Sequence, residues 1–418
     1  RSLVEAMGRH ETRTLPGGEL RLSSTGQYAD YLDRMPPSVR HAEFEQSNTL
    51  VILGERIVLK AYRRLRAGVN LEIEIGTFLT DVSPFPHVAP VIGTLEYREG
   101  DGQTTALAVV HAFVKNRGGG WDYTLEHLGR FLDTMRTAPR EMTPPGEPVG
   151  AADAVARDVD GSRAAFLELM RTLGLRTAEL HRALAKPSGD PAFEPQPITG
   201  DDLRAWQARV QNEALATLGM LADHRNDLQE NVQPDVDRLL AERETLRARI
   251  AALLPNAVNA TKTRYHGDYH LGQVLLTDHD FVIVDFEGEP SRPLHERREK
   301  HSPLRDVAGM LRSFSYAAAV ALDRATAERP EDRARLAAPL NDWRTETSAA
   351  FLAAYREAIV GTSSYPDNDE ISNQLVALFM MEKVLYELRY ELAHRPDWVR
   401  IPLAGLLEHL VSVEPAPA

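Results

Sequence analysis

The stretch that decides the fold is His266-Gly267-Asp268-Tyr269-His270-Leu271-Gly272-Gln273-Val274-Leu275-Leu276, followed shortly by Phe281-Val282-Ile283-Val284-Asp285-Phe286-Glu287. Its two apolar runs, Val274–Leu276 and Phe281–Val284, read as the arms of a β-hairpin turning at Asp278-His279-Asp280. Such a hairpin sets Asp268 and Gln273 on the loop that enters it and Asp285 just past its end. Three oxygen-bearing side chains then converge at one end. Each alone has a plain explanation, since an H-G-D triplet is often a turn and an Asp after a strand often caps a helix. The joint spacing is what points to chemistry.

Phosphoryl transfer needs one carboxylate to orient the attacking hydroxyl and accept its proton, and others to hold Mg²⁺ against the phosphates. Protein kinases meet that need with H-R-D-x-x-x-x-N followed by D-F-G. Here His266-x-Asp268-x-x-x-x-Gln273 keeps the spacing, and Asp285-Phe286-Glu287 stands where D-F-G would. Asp268 is the expected catalytic base, with Gln273 and Asp285 the expected Mg²⁺ ligands and ATP the donor. Gln for Asn is a departure: the amide oxygen still suits magnesium, on a longer arm.

Working outward toward the N-terminus, Leu50–Leu53, a Gly54-Glu55 turn and Ile57–Lys60 read as a second hairpin. Residues 70–80 read as a helix, and Val91–Glu96 with Thr105–Val114 as a further strand pair. Lys60, at a strand end, is the candidate contact to the α- and β-phosphates. Glu74 is its expected partner and Glu72 the competitor. No glycine-rich loop precedes the lysine, so Gln46-Ser47-Asn48-Thr49 is the candidate phosphate cover, through its backbone N–H groups and hydroxyls. The adenine is expected against the backbone around His111 and Phe113.

The segment 115–120, Lys-Asn-Arg-Gly-Gly-Gly, reads as a connector. Beyond it, residues 162–186, 200–223, 232–254, 303–328, 340–360 and 370–394 carry apolar residues at helical spacing, and 137–161 reads as a mobile loop or insertion. The expected class is α+β and bilobed. Residues 1–36 are mixed and turn-rich, 37–115 read as a small β-rich lobe, and 116–418 as a large helical lobe with the catalytic loop and acceptor site.

Composition narrows the function classes. The 418 residues are 43% hydrophobic and 26% charged, ordinary for a soluble globular chain. No cysteine is present, which excludes disulfides, thiolate metal sites and thiol nucleophiles. A net charge of −13 argues against nucleic-acid partners. No apolar run is long enough to span a bilayer and no leader pattern opens the chain, so the cytoplasm is expected. The start at Arg1 in place of Met leaves room for a preceding piece. Composition leaves oligomeric state open, and a monomer fits.

Several further motifs carry a family resemblance. Ser47-Asn48-Thr49, Leu59-Lys60-Ala61-Tyr62-Arg63-Arg64, Gly120-Trp121-Asp122-Tyr123-Thr124-Leu125, Arg176–His181, Asp285–Pro290, His301–Arg312, Tyr386–Glu391 and Arg395-Pro396-Asp397-Trp398 resemble the maltokinase-like branch of the aminoglycoside-phosphotransferase and choline-kinase superfamily. The resemblance implies a protein-kinase-like fold with an N-terminal cap subdomain, of which residues 1–36 would be part, and ATP-dependent phosphorylation of a sugar. In maltokinases the product is maltose 1-phosphate; in related glucosamine kinases, glucosamine 6-phosphate. The aromatic-basic opening of maltokinase caps is not found in residues 1–36.

Lys383, Glu387, Tyr390, Glu391 and His394 fall on one stripe of the 370–394 helix. One reading is a solvated face with a Lys–Glu pair. The other makes Lys383, Glu387, Tyr390 and Glu391, with Asp268, His270, Glu287 and Trp398, the wall of the acceptor cleft. Glu387 and Glu391 would attract an amino sugar more than neutral maltose, so the reading favours glucosamine, then maltose, then aminoglycosides. From another class, the Gln273 substitution and the missing glycine loop fit a catalytically inactive nucleotide-binding pseudokinase.

Overall fold

Between residues 49 and 61 two apolar runs flank a Gly54-Glu55 turn, and both turn residues have positive φ (57° and 52°), which lets the chain reverse tightly. The computed structural model describes residues 2–32, 38–41, 48–137 and 151–411, without the side chains of 151–160 and 411. In chain order the first lobe contains α1 (Ser2–Gly8), β1 (Thr12–Leu15), β2 (Gly18–Ser24), α2 (Tyr28–Leu32), β3 (Val39–His41), β4 (Thr49–Leu53), β5 (Ile57–Ala61), α3 (Leu71–Thr77), β6 (Val91–Glu99) and β7 (Thr104–Ala112). The strands form one antiparallel seven-stranded sheet in the order β1-β2-β6-β7-β5-β4-β3. Residues 12–24, read from sequence only as turn-rich, are a hairpin around Pro16-Gly17 that extends this sheet.

Two cores result. Val4, Ala6 and Met7 of α1 pack on Leu22, Ile57, Ile92 and Val110 of the sheet. The apolar side of α3 instead joins the core of the second lobe, where Phe78 stacks on Phe193 with centroids 3.8 Å apart. The small lobe is thus pinned to the large one through α3.

The large lobe contains α4 (Gly120–Thr137), α5 (Ala151–Leu184), β8 (Gln196–Pro197), α6 (Gly200–His224), α7 (Gln233–Ala241), α8 (Arg243–Ala252), β9 (Thr261–Lys262), β10 (Val274–Leu276), β11 (Phe281–Ile283), α9 (Leu294–Arg297), α10 (Leu304–Thr326), α11 (Arg333–Ile359), α12 (Asp369–His394) and α13 (Arg400–Val411). α5 packs along α11, and α12 lies between α10 and α6. The expected helices are present, with three differences. The 232–254 period is split at Glu242 into α7 and α8. Residues 151–161, expected in a loop, open the 34-residue helix α5, whose alanine-rich start favours helix; residues 138–150 lie outside the described residues. α4 and α13 were not foreseen.

The hairpin β10–β11 forms in the expected register, Val274 opposite Ile283 and Leu276 opposite Phe281. Both lobes and the connector grip it. Ile283 donates its N–H to the His87 carbonyl (2.8 Å), while Leu276 donates to Gly118 (3.0 Å) and accepts from Arg117 (2.7 Å). Among the described residues no helix is long and apolar enough to cross a membrane.

Candidate active site

The loop entering the hairpin is held by a buried carboxylate. Asp306, on α10, accepts the N–H of His266 through Oδ2 (2.7 Å) and of Gly267 through Oδ1 (2.9 Å), and Oδ2 also meets His181 Nε2 at 3.2 Å. Burial alone would raise the Asp306 pKa, but His181 and the loop hold it below its ordinary value. His266 donates from Nε2 to the Val284 carbonyl (2.9 Å) and accepts the Asp268 N–H on Nδ1 (3.4 Å), tying the loop to the hairpin's exit. Gly267 has φ +88°, and a Cβ there would meet the Gly288 Cα at 3.2 Å. Asp268 and Asp285 are fixed relative to each other by these bonds.

Asp285 itself has φ +70°, one of three non-glycine residues in that region among those described. Left-handed backbone at an Asp is a local cost that persists where the surroundings enforce it, often at functional sites. Its Oδ1 lies 2.7 Å from Lys60 Nζ, which also reaches Glu72 Oε2 (2.8 Å) and Glu287 Oε1 (2.6 Å). Burial works against the Lys60 charge, but these three carboxylates outweigh it and hold its pKa above the ordinary lysine value. Glu72 is raised by burial and lowered more strongly by Lys60, ending below the usual carboxylate range. Glu72, Asp285 and Glu287 place oxygens within 4.8 Å of one another, and the Lys60 ammonium occupies the space among them.

The expected partner Glu74 is corrected to Glu72. Asn70 caps α3 by accepting the Ile73 N–H, and the buried side of the helix then carries Leu71, Glu72, Ile75 and Gly76. Residues two apart on a helix point to nearly opposite sides, so Glu74 faces away from Lys60. It receives Arg264 Nη2 and Arg298 Nη2, each at 2.6 Å. Reading Glu72 in period with Ile75 and Gly76 would have found the pair.

Lys60 and Asp285 line a cavity of about 460 Å³ between the lobes. Leu50, Ile52 and Val58 bound it from the sheet, Leu275 and Ile283 from the hairpin, and Gln273 and Asp285 stand at its polar end. Such an apolar slot with a cation and oxygen ligands at one end matches a flat base joined to phosphates. His111 and Phe113 line it as expected, but both are engaged: His111 Nδ1 meets the Ala89 carbonyl (3.1 Å), and the Phe113 N–H goes to Arg56 (2.7 Å). Of the candidate cover, Asn48 lines the cavity and donates to Glu287 (3.3 Å), the Thr49 hydroxyl accepts from Arg63 (3.1 Å), and Ser47 lies outside the described residues.

The acceptor wall expected from sequence is divided. Lys383 reaches Asp268 Oδ1 at 3.1 Å and, with Tyr386, lines a small recess beside it. His270 caps the Leu271–Gln273 turn through Nδ1, and its Nε2 is 4.0 Å from Asp268 Oδ2, so it braces the loop. Glu287 belongs to the Lys60 cluster, not to this wall. Glu387 is taken by Arg312 (3.2 and 2.7 Å), and Glu391 by Tyr316 (2.5 Å) and Arg395 (2.7 Å). Their charges are therefore already balanced, which removes the expected open acidic pair. Tyr390 is exposed and stacked on His394, and Trp398 packs on Tyr316 under Arg395. Sequence reasoning gave Glu289, Arg292, Arg305 and Glu382 no part in the acceptor site, and they surround the recess.

The bilobed fold and this lobe-junction site are those of a kinase. Among kinases, the chain is similar to glucosamine kinases. The glucosamine kinase of Streptacidiphilus jiangxiensis is 25% identical over 368 residues, 88% of this chain and 72% of the relative. That of Mycolicibacterium smegmatis (strain ATCC 700084 / mc(2)155) is 24% identical over 404 residues, 90% and 85% of the two chains. A solved glucosamine kinase in complex with glucosamine, ADP and inorganic phosphate superimposes with a TM-score of 0.68 at 24% identity, over 98% of this chain and 82% of that one, a likeness of fold. No protein-family model matches the chain.

Proposed function

We propose that this chain is an ATP- and Mg²⁺-dependent sugar kinase that transfers the γ-phosphate to glucosamine, giving glucosamine 6-phosphate. The observation that carries the kinase reading is the convergence of Lys60, Asp285 and Gln273 on one interlobe cavity, with Asp268 on the loop that leads into it. The acceptor rests on the likeness to glucosamine kinases.

In this reading Lys60 binds the α- and β-phosphates and the apolar slot holds the base. Asp285 and Gln273 both offer oxygen, the donor Mg²⁺ prefers, so the set fits that ion, which would neutralise charge on the phosphates. Asp268 orients the acceptor hydroxyl and takes its proton on Oδ2, the oxygen not engaged by Lys383. The hydroxyl oxygen forms a bond to the γ-phosphorus as the bond to the β–γ bridging oxygen breaks, and ADP leaves.

The test is ADP release with ATP and Mg²⁺ against glucosamine, glucose, N-acetylglucosamine, maltose and one aminoglycoside, with Asp268→Asn as control. Turnover of glucosamine, lowered in Asp268→Asn by about 10²- to 10⁴-fold, is the expected result. Turnover of maltose alone would overturn the acceptor, and ATP binding with no turnover of any sugar would favour a pseudokinase.

A further inference from the structure

We infer that Lys383 is a positioning residue: anchored on Glu289, its ammonium fixes Oδ1 of Asp268 so that Oδ2 alone is presented to the acceptor hydroxyl. The inference rests on Asp268 being the base, as proposed above. Lys383 comes from α12, Asp268 from the loop before β10, and Glu289 from the turn after β11. Nζ lies 3.1 Å from Asp268 Oδ1 and 2.9 Å from Glu289 Oε1, and 4.8 Å above the Tyr386 ring. Two of the three ammonium protons thus go to carboxylates and the third faces an aromatic ring.

The anchor is itself held. Arg292 Nε meets Glu289 Oε2 at 2.5 Å, and Arg292 and Arg305 share Glu382 Oε1 at 3.0 and 2.7 Å. Asp268, Glu289 and Glu382 are balanced by Lys383, Arg292 and Arg305. A largely buried network with matched charges, centred on the buried Glu289 and Glu382, favours one geometry, because moving any member leaves an opposite charge unpaired. Lys383 is therefore committed to two carboxylates and not to an incoming phosphate. Holding one carboxylate oxygen leaves a single oxygen with a fixed direction, which is the orientation a general base needs. Oδ2 has His270 Nε2 at 4.0 Å on its other side.

The experiment is a double-mutant cycle in the same assay, with Lys383→Met, Lys383→Arg, Glu289→Gln, Asp268→Asn and Lys383→Met/Asp268→Asn, varying ATP and glucosamine separately. Lys383→Met is expected to lower kcat about 100-fold with the KM for ATP within about twofold. Lys383→Arg, which keeps the charge, should recover most of the loss, and Glu289→Gln should lower kcat about tenfold with the same KM pattern. The double variant should be no slower than Asp268→Asn, because Lys383 acts only through that carboxylate. Losses that multiply in the double variant, or a tenfold rise in the KM for ATP, would assign Lys383 to the phosphates and overturn the inference. Glu289→Gln keeps shape and volume, so it remains a test if Lys383→Met fails to fold. Wild-type inactivity on every acceptor would sink the proposed function first, whereas an active wild type with a multiplicative cycle sinks only this inference.

Discussion

Lys60 and Asp285 are 225 residues apart in the chain, and Lys60 Nζ meets Asp285 Oδ1 at 2.7 Å across the lobe junction. One residue ends a strand of the small lobe and the other follows the hairpin of the large lobe. Their contact makes the phosphate end of the cavity a product of both lobes. Lys60→Met should therefore raise the KM for ATP at least about tenfold and lower kcat/KM more than kcat. It should also destabilise the fold by about 3 kcal/mol, since the buried Glu72 and the partly exposed Asp285 and Glu287 lose their cation. Steady-state kinetics with varied ATP and a urea melt read both.

Glu72 and Glu74 make a paired test. Glu72→Gln weakens the hold on Lys60 and should raise the KM for ATP several-fold. Glu74→Gln loosens Arg264 and Arg298, costing about 1–2 kcal/mol of stability with little change in that KM. The opposite pattern would restore Glu74 as the lysine's partner.

Gly309 lies on α10 directly beneath the loop, where a Cβ would come within 2.5 Å of the Tyr269 carbonyl oxygen. Glycine inside a helix usually costs about 1 kcal/mol relative to alanine. Here the sign should reverse. Gly309→Ala is expected to destabilise by about 1–3 kcal/mol and to lower kcat by displacing Asp268. A raised melting temperature with full activity would refute the close approach.

Acid should act through several buried groups, Glu289 and His127 among them. Burial works to raise the Glu289 pKa, but Lys383 and its arginine neighbours hold it down at about 2, against 4.5 ordinarily. The folded state thus binds fewer protons than the unfolded chain. The contribution, about 3 kcal/mol, is complete above pH about 4.5 and is lost as pH falls toward 2. His127, stacked on Phe166 at 4.1 Å, is pushed by burial down to about 4 from 6.5. The sign is the same: stability falls as pH drops from about 6.5 to 4, because only the unfolded chain takes up the proton there. Denaturant melts across pH 3–8 should show a shallower decline in His127→Phe over the upper window and in Glu289→Gln over the lower one.

The Asp306 carboxylate bonds two successive N–H groups of the loop. Asp306→Asn leaves one of them facing an amide N–H₂ group or a turned amide. It should lower kcat by about tenfold or more and destabilise the fold by about 2 kcal/mol, with the KM for ATP nearly unchanged. Loss confined to stability would mean that the loop holds without it.

The sequence by itself determined the parts whose geometry is local. A hairpin is set by apolar runs and turn residues a few positions apart, so β4–β5 and β10–β11 were legible, and with them the places of Lys60, Asp268, Gln273 and Asp285. The long helices were legible from their period. Partner choice was not, because it depends on where separate elements meet. Only the tertiary structure decided that Lys60 takes Glu72, that Arg312 and Arg395 absorb the charges of Glu387 and Glu391, and that Lys383 turns to Asp268 and Glu289. An ion pair needs a few ångströms of approach between groups many residues apart, and a sequence states which charges exist but not which of them the packing brings within reach.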